Sequence, residues 1–90
     1  MAVGIETSDA PGVVIANNRV GNAATGPGAS YGVFVGSSPN AMVKDNTISV
    51  MNCGIYFDSS AGLYMNNLAT GCMTAFTGGT AAGSTNYSIP

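Results

Sequence analysis

Six side chains in this 90-residue chain carry a formal charge, and they are the first candidates for chemistry. The carboxylates are Glu6, Asp9, Asp45 and Asp58, and the cations are Arg19 and Lys44. Hydrolysis of a glycosidic bond needs two carboxyl groups that face each other across that bond. The four carboxylates are scattered along the chain, and there is no histidine to act as a general base. The sequence therefore predicts turn and surface residues, and it predicts that the chain is not an enzyme.

Two cysteines, Cys53 and Cys72, are the remaining reactive side chains. Each lies just before one copy of the repeat described below, so we expect them at the same corner of neighbouring turns. Cα atoms stacked about 5 Å apart are within disulfide range, although parallel side chains often remain reduced. A disulfide and two free, buried thiols both stay open, and the free thiols are favoured. Two cysteines without histidine are too few for a metal site, so no metal or cofactor is expected.

Charge and hydropathy remove two classes of partner. A formal net charge of −2, with one arginine and one lysine, gives no basis for neutralising phosphates, so nucleic-acid binding is not expected. No apolar run approaches the roughly 18 residues of a membrane span. The first residues also lack the features of a signal peptide, so no membrane partner is expected and the location stays open.

Four copies of one pattern must position these side chains. The first three copies have a glycine followed by alternating apolar residues, a turn-rich middle, an apolar triplet and an asparagine, and the fourth is a weaker copy that opens at Thr74. The copies span 4–20, 32–48, 54–69 and 74–89, with a loop insertion at 21–31, all within a single domain of residues 1–90. A period of about 22 residues predicts a stacked solenoid. Turn-forming residues mark its corners, and the short apolar runs between them predict strands.

The repeats resemble those of the right-handed parallel β-helix superfamily, the pectate-lyase-like folds whose coils read Gly-Ile-x-Val, a turn, and then Ile-x-x-Asn-x-Ile. The resemblance implies an all-β fold, namely a short right-handed single-stranded parallel β-helix, or β-solenoid, of about four coils and three parallel sheets. It also implies an internal ladder of stacked asparagine amides. The ladder would consist of Asn18, Asn46, Asn67 and Asn86. The acidic calcium cluster and the Asp and His sets of catalytic relatives are missing from this sequence.

Alternation along a strand predicts which side chains leave the core. The predicted outward positions are Phe34, Tyr56 and Phe76 in the first strands, and Val14, Met42 and Tyr64 in the second strands. The predicted inward positions include Leu63, Ala75 and Thr77. The outward residues would form contiguous apolar columns of the kind that mark interaction surfaces.

Three interpretations of these columns remain. The loop 21–31 covers them or the assumed register is off by one; they form a subunit interface; or their aromatic rings form a platform for sugars. The repeats leave no separate cap for the ends of the stack, and exposed strand edges tend to recruit other chains. Three explanations stay open: the chain derives from a longer β-helix, its terminal residues fold over the ends, or it self-assembles.

The leading prediction is a non-catalytic structural module that forms homo-oligomers through its outward apolar columns or uncapped ends. Such a module would suit an extracellular, surface or phage-like assembly. The alternative is a carbohydrate-binding fragment of a larger pectate-lyase-like protein that acts on polysaccharides, which would make a polysaccharide its partner.

Overall fold

The computed structural model describes residues 2–21, 30–49 and 52–89, and no helix occurs within those ranges. Short β-strands alternate with tight corners along the whole described chain. The strands are β1 (Ala2–Ser8), β2 (Val14–Ala16), β3 (Arg19–Gly21), β4 (Ser30–Gly36), β5 (Ala41–Lys44), β6 (Thr47–Ser49), β7 (Cys53–Asp58), β8 (Gly62–Met65), β9 (Leu68–Thr70), β10 (Thr74–Thr77), β11 (Thr80–Ala81) and β12 (Tyr87–Ile89).

The strands form three four-stranded sheets in which every pairing is parallel. The first sheet has the order β1-β4-β7-β10, the second β2-β5-β8-β11 and the third β3-β6-β9-β12. Consecutive strands always belong to different sheets, so each turn of the chain adds one strand to all three. This confirms the all-β fold class, a short parallel β-helix of four coils.

Left-handed residues make the corners. The corner between the first and second sheets begins at Asp9, Ser37 and Ser59, whose φ angles are 54°, 47° and 53°. The corner before the third sheet has φ angles of 61°, 57° and 53° at Asn17, Asp45 and Asn66. Asp and Asn tolerate this region better than most residues because their short polar side chains bond locally. The corner residues therefore explain why the polar positions recur at fixed points of each copy.

The core is a set of aliphatic columns that run along the helix axis. The apolar side chains with no exposed surface are Val33, Val35, Val43, Ile48, Ile55 and Ala69. Ile15, Ala41, Cys53 and Phe57 complete the buried apolar core within the described residues. Each inward column brings one residue per coil into contact with its equivalents above and below.

The expected outward orientation of Tyr64 is wrong, and so is the inward orientation of Leu63. Leu63 lies opposite the outward Met42, and Tyr64 lies opposite the buried Val43. The cause is a shorter corner. Gly62 aligns with Ala41, so the third coil has Ala61 alone where the second coil has two residues, 39–40. Because successive strand residues point to opposite faces, one missing residue exchanges the inner and outer side chains.

The fourth copy is also displaced by one residue from its predicted register. Phe76 lies opposite Ile55 and packs against the core, so its expected outward orientation is wrong. Thr77 lies opposite the outward Tyr56, which contradicts its expected place inside. Thr74, rather than Cys72, lies opposite Cys53. The two cysteines therefore do not occupy the same corner position.

The predicted insertion 21–31 is shorter at both ends than the sequence suggested. Gly21 ends β3, and residues 30–31 open β4. Residues 22–29 lie outside the described residues. Tyr31, which the sequence placed in this loop, is thus a strand residue on the outer face of the first sheet.

Candidate functional site

The charged side chains do not converge on one site. Glu6, Asp9, Asp45 and Asp58 are all exposed. Asp9 and Asp45 hold left-handed corner positions on different coils, and Glu6 lies beside the ring of Phe34 in the outer row of the first sheet. Within residues 2–21, 30–49 and 52–89, no group of three or more His, Cys, Asp or Glu side chains could hold a metal ion.

The four ladder asparagines stack in register along the interior. The Nδ2 of Asn18 donates to Oδ1 of Asn46 at 3.1 Å, Asn46 donates to Asn67 at 3.0 Å, and Asn67 donates to Asn86 at 3.0 Å. In each step the backbone N–H of the same donor residue binds the same Oδ1, at 3.0 to 3.1 Å. All six hydrogen bonds run from the earlier coil to the later one. The ladder therefore has a direction.

Backbone carbonyls take the second Nδ2 hydrogen of each ladder residue. The acceptors are Ala16 O for Asn18, Ile15 O for Asn46, Val43 O for Asn67 and Tyr64 O for Asn86. Asn46 and Asn67 are each only 1% exposed, so these bonds replace water that cannot reach them. The ladder is a structural element that fixes the second corner of every coil.

A serine column at the first corner was not foreseen from the sequence. The backbone N–H of Ala10 donates to Ser38 Oγ at 3.1 Å, and that of Ser38 donates to Ser60 Oγ at 2.8 Å. The fully buried Ser38 hydroxyl donates to Gly36 O. The sequence does carry a signal for this column, because a serine occupies equivalent positions of the second and third copies. That serine was interpreted only as ordinary turn composition.

Three rings form a contiguous patch on the outside of the first sheet, which we call the outer aromatic cluster: Tyr31, Phe34 and Tyr56. Phe34 and Tyr56 stack with ring centroids 5.3 Å apart. Tyr31 packs edge-on against both, at 5.3 Å from Phe34 and 5.2 Å from Tyr56. Sequence reasoning found Phe34 and Tyr56 but missed Tyr31, and it wrongly added Phe76. The cluster therefore covers the second and third coils.

A shallow groove of about 290 Å³ lies beside the outer aromatic cluster. Its lining includes Tyr31, Tyr56, Cys53 and Met73, together with polar side chains of coils three and four. The Sγ of Cys53 donates to Ile55 O or Thr77 Oγ1, both at 3.6 Å. Burial raises the pKa of the Cys53 thiol, so it is less readily ionised than an exposed cysteine. Both cysteines are free, with Cys53 buried and Cys72 half-buried.

Apolar side chains also line the outside of the second sheet, and we call this the outer apolar column: Val14, Met42 and Leu63. The three residues are successive neighbours in the pairing of β2, β5 and β8. Val14 is 57% exposed and Leu63 is 40% exposed. An open groove of about 490 Å³ runs along Met42 and Leu63 and ends at Thr80. Val14 and Met42 occupy the predicted outward positions, and Leu63 takes the place predicted for Tyr64.

Tyr64 and Phe76 belong instead to an inner aromatic stack at the fourth coil. Their ring centroids are 5.1 Å apart, and Tyr64 lies 6.0 Å from Phe57. The left-handed Gly79 approaches this stack so closely that an added Cβ would lie 2.7 Å from the Phe57 ring. Tyr64 and Phe76 pack against the buried core, so they do not contribute to an outer surface.

Comparisons with known proteins identify one family. A family profile described as "Periplasmic copper-binding protein (NosD)" matches residues 2–89 of the chain. No curated protein and no solved structure matches the chain. Among the described residues, there is no helix with the length and hydropathy needed to cross a membrane.

Proposed function

We propose that this chain, which belongs to the NosD family, is a non-catalytic structural β-helix module that self-associates. Its dispersed, exposed carboxylates support the absence of catalysis, and its regular stack of coils supports a structural role. The periplasm named in the family description, or another extracellular or surface location, would be its setting. Kinship with the pectate-lyase-like proteins is part of the same proposal and rests on the repeat pattern.

The outer apolar column carries the proposal of self-association. Val14, Met42 and Leu63 form an uninterrupted apolar strip on a sheet face, flanked by a groove able to receive side chains of a partner. Burying such a strip gains about 25 cal/mol for each Å² of apolar surface removed from water. A second copy that presents the same strip would be self-complementary, as a two-fold interface requires.

Leu63→Lys is expected to dissociate the oligomer while leaving the coil intact. The new ammonium group would lie at the third-coil end of the buried strip, beside Met42, where it would lack a partner and lose its hydration. Thr70→Lys is the matched control, because it adds the same charge on the same coil but on the third sheet. Light scattering behind a sizing column gives the molar mass of each variant, and far-UV circular dichroism checks the β signal. A Leu63→Lys protein with the wild-type molar mass would contradict an interface at this column.

Copper enters through the family description, and the described residues meet its requirements only in part. Cu(I) prefers thiolate and thioether ligands, and Cys53 and Met73 line one groove. Burial raises the pKa of Cys53 and so opposes the thiolate form that binds metals, although the hydrogen bond with Thr77 acts in the other direction. Two sulfur atoms, one of them held as a thiol, do not make a copper centre. We therefore derive no copper chemistry for these residues.

The outer aromatic cluster supports a second candidate function, the binding of a polysaccharide. Rings of Phe34 and Tyr56 that stack on a sheet face offer flat apolar surfaces to the apolar faces of sugar rings. The adjacent groove adds the polar side chains of Asn52, Thr74 and Thr77. In this reading the chain is a carbohydrate-binding part of a larger protein that acts on polysaccharides.

Phe34→Ala is expected to weaken glycan binding at least about tenfold if this second function holds, because one buried stacking surface is lost. Tyr87→Ala is the control, since it removes a ring that is 67% exposed on the third sheet. Calorimetric titration with acidic and neutral polysaccharides measures both. No heat of binding with any of these polysaccharides for the wild-type chain would eliminate this candidate and leave the structural one standing.

A further inference from the structure

A carboxylate and an aromatic face lie side by side at one edge of the outer aromatic cluster. Glu6 is the neighbour of Phe34 in the pairing of β1 with β4, and Tyr56 is its neighbour in the pairing of β4 with β7. The rings of Phe34 and Tyr56 stack with an angle of only 18° between their planes. One face of the Phe34 ring is therefore turned toward Tyr56, and the opposite face is turned toward the first coil, where Glu6 lies.

Three neighbours hold the Phe34 ring in this orientation. Tyr31 packs edge-on against it and Tyr56 stacks on it, each with ring centroids 5.3 Å from that of Phe34. The ring also lies over Gly36, where an added Cβ would be 3.3 Å from Phe34 Cε1. Because the ring is already ordered, a ligand on its outer face would not have to immobilise it. We call the space between this face and the Glu6 carboxylate the Glu6–Phe34 slot.

The outer face of the first sheet carries negative charge and, within the described residues, no positive charge. Glu6 and Asp58 are both exposed on this face. The two cations of the sequence, Arg19 and Lys44, belong to the third and second sheets. The face of an aromatic ring attracts a cation, and a carboxylate attracts the same cation directly. The two walls of the Glu6–Phe34 slot therefore favour the same ligand group, an organic cation.

The groove on the other side of the stacked rings indicates which organic cation fits. Its polar side chains, Asn52, Thr74 and Thr77, can exchange hydrogen bonds with hydroxyl groups, and its volume is about 290 Å³. The slot lies at coils one and two and the groove at coils three and four, so three strand spacings, about 14 Å, separate their far ends. A linear glycan that lies along the helix axis would cross the slot, the stacked rings and the groove in turn.

We infer that the Glu6–Phe34 slot binds the ammonium group of an amino sugar, so that the outer aromatic cluster selects polysaccharides with free amino groups. This inference rests on the second candidate function, the binding of a polysaccharide, and names the class of polysaccharide. An N-acetylated sugar has no charge at this position and would lose the attraction of both walls. A further coil before the first would lie on the other side of Glu6 and would leave the slot unchanged.

Glucosamine oligomers and N-acetylglucosamine oligomers of the same length test this inference, because N-acetylation removes the charge of the amine. Calorimetric titration in a mildly acidic buffer of low salt, which keeps the amines protonated, should show at least about tenfold tighter binding of the glucosamine oligomer. Glu6→Gln keeps the shape of the side chain and removes its charge, so the preference should fall to about threefold or less. Asp45→Asn is the matched control, since it removes an exposed carboxylate at a corner of the second coil and should keep the preference.

The possible results separate this inference from the function on which it rests. Equal binding of the two oligomers, or binding of acidic polysaccharides alone, would overturn the amine site and leave the polysaccharide function standing. A preference for glucosamine that Glu6→Gln leaves intact would also overturn the site, because the charge would then be recognised elsewhere. If no polysaccharide of any charge binds, both the second candidate function and this inference are wrong.

Discussion

Replacement of Asn46 by alanine is expected to lower the free energy of unfolding by about 3 kcal/mol, because it leaves two donors of Asn18 without their acceptor. It also removes the donors to Ile15 O and Asn67 Oδ1. Asn46 is 1% exposed, so water cannot replace these partners. Domains of this size are stable by only about 5 to 13 kcal/mol, which makes the loss a large fraction of the total.

Urea denaturation followed by far-UV circular dichroism measures this loss. Asn86→Ala should cost roughly half as much, because Asn86 is half-buried and loss of its side chain would let water reach the two Asn67 donors that it leaves. Ser84→Ala, at an exposed position of the same coil, should stay within about 0.5 kcal/mol of the wild type. Equal stability of the Asn46→Ala and Ser84→Ala proteins would show that the ladder does not hold the coils together.

Gly32→Ala is expected to destabilise the fold by about 3 kcal/mol or more, or to prevent folding. A Cβ at this position would lie 2.4 Å from Ile48 Cγ2 and 2.6 Å from the carbonyl oxygen of Gly54. The first contact is with a fully buried core residue and the second with the backbone of the neighbouring coil. Ile48 is held by the packed core, and the Gly54 carbonyl cannot move without separating β4 from β7, so the cost is at the upper end of the range for added core volume.

Gly21→Ala is the matched control for this prediction. Its added Cβ would approach the Ser49 hydroxyl at 3.1 Å, and that side chain can rotate away. Its change in unfolding free energy should therefore be smaller than about 1 kcal/mol. The same urea experiment compares the two proteins. A Gly32→Ala chain as stable as the Gly21→Ala chain would contradict the close approach of coils two and three at this position.

The repeat pattern was sufficient to predict the fold class, because turn residues and apolar triplets recur once per coil. The ladder asparagines were identifiable through the resemblance to β-helix repeats, since Asn18, Asn46 and Asn67 each follow an apolar triplet, whereas Asn86 lies in the weaker fourth copy. These features depend on which residue types recur, and small differences in corner length do not hide them. The β-helix and its asparagine column therefore follow from the sequence.

The facing of the aromatic side chains could not be predicted in the same way. A strand has a side-chain period of two, so the single residue missing from the corner at Ala61 moved Tyr64 from the outside to the inside. For Phe76 the error lay in aligning Thr74 with the glycine that opens each of the other copies. Ala75, not Thr74, lies opposite the tightly packed Gly54, where an added Cβ would lie 2.5 Å from Ala75 O. The register of the fourth copy is decided by the space beside Gly54, and that space is defined only when the coils are packed together.

The molar mass of the wild-type chain in solution tests the proposed function most directly. A monomer has a mass of 8.9 kDa. Light scattering behind a sizing column, over a range of loading concentrations, should give a mass that is a multiple of this value and rises with concentration. A constant mass of one chain at every concentration would contradict the account of this protein as a self-associating structural module.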